Sequence, residues 1–388
     1  FANSIEKIQQ EGGLAATQLR NEYSNRIIIV DEAHNLRIQP DKKADTSRVN
    51  KAFHLLLHSV ENTKVLLMTG TPMKDRWNEI ADLANLILPE DKQLASGDAF
   101  DREFPNDGKT IENVQVLKER LKGMISTLKT IPSKVKREFI GTNLPELDLF
   151  KLDLSRMSEF QEKYYLEAYQ LDKTSSEKRG IYDASSQAIN FVFPDGSYGS
   201  AGFKKYMTPL PKQQHRMKKG TRTFDIEPLG PELREALRGA TDEERLVKLS
   251  QFSCKYAQTI RNILLQTKNK SGNMYIYNSF VDGSGCVLFA RILELFGYRR
   301  SVKGIETTKA PRYVILTHRT LDENGKIVTD MQKTINDPKN ARGEYIQVII
   351  GSRTSGEGLS FYNVEDIGIH TPYWNYSTID QAINRGLR

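Results

Sequence analysis

Cysteine is scarce in this chain of 388 residues: Cys254 and Cys286 are the two present. They are too few and too isolated for a disulfide framework or a zinc cluster, and they fit a reducing compartment. No apolar run approaches the roughly 20 residues that a membrane helix needs, so no membrane partner is expected. A signal-peptide pattern is missing too, but the chain opens at Phe1 rather than Met and leaves the start of the protein open. A glycine-rich phosphate loop is also lacking. Its near match, Gly108-Lys109-Thr110, has Glu103 where the first glycine belongs. Charge of one sign is only mildly in excess, with 56 Lys and Arg against 49 Asp and Glu, net +7 and a pI near 9.1. That balance suits a polyanionic partner without identifying one. What remains, 38% hydrophobic and 27% charged, describes a soluble, intracellular globular protein with two or more lobes.

Against these absences stands Asp31-Glu32-Ala33-His34, directly after the apolar run Arg26-Ile27-Ile28-Ile29-Val30. A β-branched run ending in paired carboxylates predicts a buried parallel strand that delivers two acids to its carboxyl end, where α/β folds bind ligands. In a nucleotide-hydrolysing site Asp31 would hold Mg²⁺ through water and Glu32 would polarise the attacking water. Taken alone, the pair reads equally well as helix-capping acids. A second run, Lys64-Val65-Leu66-Leu67-Met68, stops abruptly at Thr69-Gly70-Thr71-Pro72, residues suited to a tight turn with exchangeable hydrogen bonds. A third, Ile346–Ile350, leads into Gly351-Ser352-Arg353-Thr354-Ser355-Gly356-Glu357-Gly358-Leu359. Glycines there would let backbone approach phosphate or ribose closely. Gln381, Arg385 and Arg388 close the chain at spacings of four and three, one face of a helix, and their guanidiniums fit phosphate oxygens. His54 and His58 share helical spacing with no cluster around them and read as ordinary helix residues.

In this order the segments resemble motifs II, III, V and VI of superfamily 2 helicases. The wording is closest to the Snf2-like DEAH-box ATPases of large DNA viruses: the type of the poxvirus early transcription factor small subunit and its giant-virus homologues. The resemblance implies an α/β fold of two RecA-like lobes, the first incomplete, with a helical and irregular insertion between them. It assigns Asp31 and Glu32 to catalysis with ATP and Mg²⁺. His34, Thr69, Gly70 and Thr71 become coupling residues, and Gly356, Glu357, Gly358 and Gln381 nucleotide contacts. Arg385 and Arg388 become candidates for an arginine finger that acts when the lobes close. Tyr373, Trp374 and Tyr376, just before motif VI, fit core or interlobe packing better than base stacking.

The implied domains are 1–145, the first lobe; 146–250, a linker or insertion; and 251–388, the second lobe. Within the insertion, Lys173 to Gly220 is polar, basic and glycine-containing and reads as a mobile linker. Because only about thirty residues precede Asp31, motif I has no room, and the chain reads as an internal stretch of a larger protein that would bind and hydrolyse ATP poorly by itself. The expected parent is an ATP-dependent DNA translocase or helicase of early viral transcription, working with DNA and with a viral RNA polymerase or transcription-factor subunit, in the virion or a viral factory. Two alternatives stand beside it: a transcription-termination or remodeller-like translocase, and a non-catalytic DNA-binding scaffold.

Overall fold

The structure is a computed structural model that describes residues 14–38, 43–73, 76–107, 110–127, 138–144, 147–174, 182–210, 225–302, 311–320, 326–352, 359–372 and 376–386. It divides into two compact units, Phe1–Ile131 and Pro132–Arg388.

In the first unit, helix α1 (Leu14–Tyr23) leads to strand β1 (Ile27–Val30), a short 3-10 turn (Ala33–Leu36), helix α2 (Lys43–Ser59) and strand β2 (Lys64–Leu67). The strands pair in parallel, with Ile28 opposite Val65 and Val30 opposite Leu67. Ile28, Val30, Val65 and Leu67 face Leu19 of α1, Leu56 and Leu57 of α2, and Leu83 and Leu86. The other face is open: Ile27 is 70% exposed, Ile29 59% and Leu66 50%. The expectation of a fully buried strand is therefore corrected. Alternate residues of a strand point to opposite faces, and here one face alone is covered. The periodic run after motif III forms helix α3 (Glu79–Ala84), which continues as turns to Leu88 and buries Ala81, Leu83, Leu86 and Leu88. Helices α4 (Asp98–Glu103) and α5 (Val114–Arg120) follow. The second of these leaves Val114 and Val116 exposed while Leu117 packs beside Phe100 and Phe104.

The second unit opens with an antiparallel pair, β3 (Thr142–Leu144) and β4 (Leu147–Leu152). Helices α6 (Glu159–Thr174), α7 (Asp183–Asn190), α8 (Gly199–Tyr206), α9 (Pro231–Ala236), α10 (Asp242–Phe252) and α11 (Cys254–Asn269) come next. Then β5 (Asn273–Tyr277), α12 (Cys286–Glu294), β6 (Arg299–Arg300), β7 (Arg312–Leu316), α13 (Lys326–Ile335), β8 (Val348–Gly351), β9 (Val364–Ile369) and α14 (Tyr376–Asn384) build the α/β part. Its sheet has the order β6-β7-β8-β5-β9, parallel throughout. Met274, Ile276, Ile315 and Ile350 face one layer with Leu288 and Phe289, while Tyr275, Val314 and Ile349 face Met331, Ile335 and Phe361. Both faces are covered, as a parallel sheet made of crossover units requires. The apolar run Ile346–Ile350 pairs as a strand only from Val348, and the buried Asn340 Oδ1 accepts the N–H groups of Tyr345 and Ile346 before it at 2.9 and 3.0 Å.

Much of the stretch expected as a mobile linker is a folded part of this unit, which corrects that reading. Phe191, Phe193, Phe203 and Tyr206 join the same core as β5 and α12. The glycines that suggested flexibility are demanded by close packing. Gly202 lies against the Phe193 ring and Gly196, at φ +85, against Tyr164; a Cβ at either would overlap the ring. Lys204 and Lys205 sit on α8, where Lys205 pairs with Asp195 at 2.9 Å. Lys218 and Lys219 lie outside the described residues.

Candidate functional site

The first group of motif residues is assembled where β1 and β2 end. Asp31 is exposed and accepts the N–H of Glu32 on Oδ1 at 2.9 Å. Glu32 itself has φ 51 and ψ 45, left-handed backbone that costs a non-glycine residue about 1–2 kcal/mol. Strain of this kind persists where neighbouring bonds over-determine it. Here the next residue, Ala33, donates its N–H to the Met68 carbonyl at 2.9 Å, and Met68 donates to Val30 at 2.8 Å. The twist turns the chain sharply into the 3-10 turn.

His34 is buried and joins the two motifs. Its Nδ1 lies 3.2 Å from Glu32 Oε2 and 3.1 Å from Thr69 Oγ1. Thr69 Oγ1 also accepts the N–H of Thr71 at 3.0 Å. The Glu32 carboxylate stands at ion-pair distance from Nδ1 and the Thr69 hydroxyl at hydrogen-bond distance, with donor and acceptor roles set by the imidazole tautomer, so polar contacts run from Glu32 through His34 and Thr69 to Thr71. Gly70 has open space where a Cβ would stand, so nothing local requires glycine at that position.

A second set of bonds, which the sequence reading missed, anchors this turn to α3. Arg37 donates to the His34 carbonyl at 3.0 Å and pairs with Glu79 at 2.5 Å, both side chains buried. The Ile38 N–H donates to Asp82 Oδ2 at 2.9 Å, and burial raises the Asp82 carboxyl above its ordinary range. Asn50 of α2 donates to the carbonyls of Leu36 and Asp82 at 2.9 and 3.1 Å. The segment after Thr71 is thus tied to the segment after Glu32 in two independent ways. Arg37 and Glu79 are 42 residues apart, and no local pattern reveals such a pair.

The second group lies in the second unit. Arg385 donates from Nη1 to the Leu359 carbonyl at 3.1 Å, and its own carbonyl accepts the Phe361 N–H at 2.8 Å. These bonds tie motif VI to the residues just after the motif V loop. Helix α14 ends at Asn384, and Arg385 sits in the closing turn with its N–H on Ala382 at 3.3 Å. Gln381 lies within α14, and the expectation of one helical face shared with Arg388 falls on a residue outside the described ones. Gly356, Glu357, Gly358 and Arg388 lie outside the described residues, as do Tyr373 and Trp374.

The Gly283-Ser284-Gly285 loop between β5 and α12 looks placed for phosphate but is closed. The Cys286 and Val287 amides donate to Phe280 and Val281, and the Ser284 amide to Gln187. His54 and His58 stack at 4.0 Å within α2, as ordinary helix residues do. Among the described residues no group of three or more His, Cys, Asp or Glu could hold a metal ion unaided. The exposed Asp31 carboxylate has the oxygen chemistry that Mg²⁺ takes. No helix among the described residues is long and apolar enough to cross a membrane.

Comparison with known proteins agrees with this geometry. Residues 5–195 match the SNF2-related domain. A protein of Invertebrate iridescent virus 3 named as a candidate helicase is 34% identical over the whole of this chain and 35% of its own length. A similarly named protein of Frog virus 3 is 31% identical over 97% of this chain and 34% of its own. A protein of Acanthamoeba polyphaga mimivirus, named as a candidate ATP-dependent RNA helicase, is 24% identical over 94% of this chain and 56% of its own. The chain thus spans about a third of the length of the first two relatives. Residues 5–195, with the acid turn beside the Thr69–Thr71 turn in an α/β fold, carry an SNF2-related domain, and the chain as a whole is similar to helicase-type proteins of large DNA viruses.

Proposed function

We propose that the complete protein is an ATP-driven translocase on duplex DNA that serves early viral transcription. The observation that carries this reading is the run of polar contacts Glu32–His34–Thr69–Thr71, which brings the hydrolytic acids and motif III together. Bound Mg²⁺-ATP supplies an electrophilic γ-phosphoryl group. Asp31 would hold the metal through its water shell, and the Glu32 carboxylate would orient the attacking water and take its proton. His34, in polar contact with both Glu32 and Thr69, would pass a shift of the acid to the motif III turn, and the Arg37–Glu79 pair would carry it into α3. From the second unit, Gly356, Glu357, Gly358 and Gln381 contact the nucleotide. Arg385 or Arg388 stabilises charge on the transferring phosphoryl group when the units close, so each hydrolysis resets one closure. A viral RNA polymerase or transcription-factor subunit is the partner this role implies.

RNA is the second reading, favoured by the name of the mimivirus relative. Steady-state ATP hydrolysis by the complete protein distinguishes them. Duplex DNA is expected to raise the rate at least tenfold and duplex or single-stranded RNA less than twofold. The reverse order would replace DNA by RNA, and no stimulation by either would favour a DNA-binding scaffold.

A further inference from the structure

The second unit carries a cation that the proposed chemistry does not use. Lys255, in the first turn of α11 and partly exposed, donates from Nζ to Asn190 Oδ1 at 3.1 Å and to the backbone carbonyl of His370 at 2.5 Å. Desolvation lowers its pKa from 10.5 to about 8, and its hydrogen-bond partners are neutral acceptors. A lysine held on neutral acceptors alone gains little stability there and needs another reason to be in place.

Its partner supplies the reason. His370 follows the last residue of β9 and is held by its backbone and by one ring nitrogen, while its buried Nδ1 has no hydrogen-bond partner. Its N–H donates to the Tyr277 carbonyl at 2.9 Å, its Nε2 meets Thr259 Oγ1 at 2.9 Å, and its ring lies against Tyr256 and Phe289. Burial and the Lys255 charge hold the imidazole neutral, its pKa well below the usual range. The next residue, Thr371, accepts the Ser279 N–H on Oγ1 at 2.7 Å. Five residues further on, α14 begins, and its far end is tied down by the Arg385 bonds to Leu359 and Phe361. That separation in sequence limits how far the start of α14 can lie from the exit of β9.

The geometry points to Lys255 as a positioning residue: through the His370 carbonyl it fixes the carboxyl end of β9 and thereby the helix that carries Gln381 and presents Arg385. The clamp draws on three elements, since Asn190 belongs to α7 and Thr259 to α11. The module read from sequence as a linker thus becomes part of the motif VI support. The groups facing Lys255 are His370 from β9, Asn190 from α7, and Cys254 and Tyr256 from its own helix. His370 is neutral, and burial raises the Cys254 and Tyr256 pKa values, so Lys255 is the group that titrates near pH 8.

Lys255→Met preserves length and removes the charge, which separates positioning from stability. Hydrogen exchange of the chain described here reads the clamp directly. Lys255→Met, and separately Thr259→Val, should speed exchange of the α14 amides at least tenfold with an unchanged or higher Tm. The wild type should gain stability relative to Lys255→Met as pH rises from about 8 to 10.5. In that window the unfolded lysine keeps a proton that the folded one has shed. Unchanged α14 exchange in both variants would overturn the clamp, and so would a loss of protection spread evenly over the second unit. The catalytic consequence rests on the reading of Arg385 given above and is measured separately. In the complete protein Lys255→Met should lower kcat at least tenfold with KM for ATP within threefold, and wild-type kcat should fall above pH 8. Loosened α14 exchange with unchanged kcat would leave the clamp standing and remove Arg385 from catalysis.

Discussion

Glu32→Gln in the complete protein should bind ATP as the wild type does and turn it over about 10²–10⁴-fold more slowly, the usual contribution of a positioned general base. Glutamine is the same size and meets the same left-handed backbone at φ 51, so the fold has no reason to change. What is lost is the basic oxygen. The amide cannot take a proton from water, and the carboxylate that stands 3.2 Å from His34 Nδ1 is gone. Phosphate release at saturating ATP measures the loss, and equilibrium binding of a fluorescent ATP analogue measures retention of the site. Turnover within twofold of wild type would remove Glu32 from the reaction.

Arg385→Lys should lower kcat by about 10³–10⁵-fold if Arg385 is the arginine finger, with ATP affinity changed far less. A guanidinium can hold the Leu359 carbonyl through Nη1, at 3.1 Å, while its remaining N–H groups face phosphate; an ammonium is a point charge without that fork. The backbone bond from Phe361 to the residue 385 carbonyl, 2.8 Å, survives the substitution, so the closing turn of α14 is retained. Arg388→Lys measured beside it decides which arginine acts. The severe loss should fall on one of the two, and a mild effect of both would show that charge stabilisation comes from elsewhere.

The strands were readable from sequence because their signal is local. Tyr313 to Leu316 and Met274 to Tyr277 are continuous apolar runs, and each became a buried strand of the second sheet. The acid turn and the Thr69–Thr71 turn were readable because small and charged residues interrupt such runs abruptly. What stayed hidden is non-local. Gly196 and Gly202 look like flexible linker in the sequence, whereas the rings of Tyr164 and Phe193 make them packing requirements. Ahead of β8, Asn340 takes the Ile346 amide, which the apolar run would give to a strand. Arg37 with Glu79, and Lys255 with Asn190 and His370, are polar partners far apart in the chain, and no periodicity announces them. The exposed face of β1 and β2 follows from the same limit. Ile27 and Ile29 read as buried from their type, but burial depends on what the rest of the protein lays against them.

The central claim is that His34 makes the hydrolytic acids and the Thr69–Thr71 turn one responsive unit. Its most direct test is the ratio of ATP hydrolysis with and without duplex DNA, measured for the complete wild-type protein and for His34→Ala. The relay predicts that this stimulation ratio falls at least about fivefold in the variant, the lower range of an ordinary coupling energy. A variant slower overall but stimulated by DNA to the same ratio as wild type would contradict it.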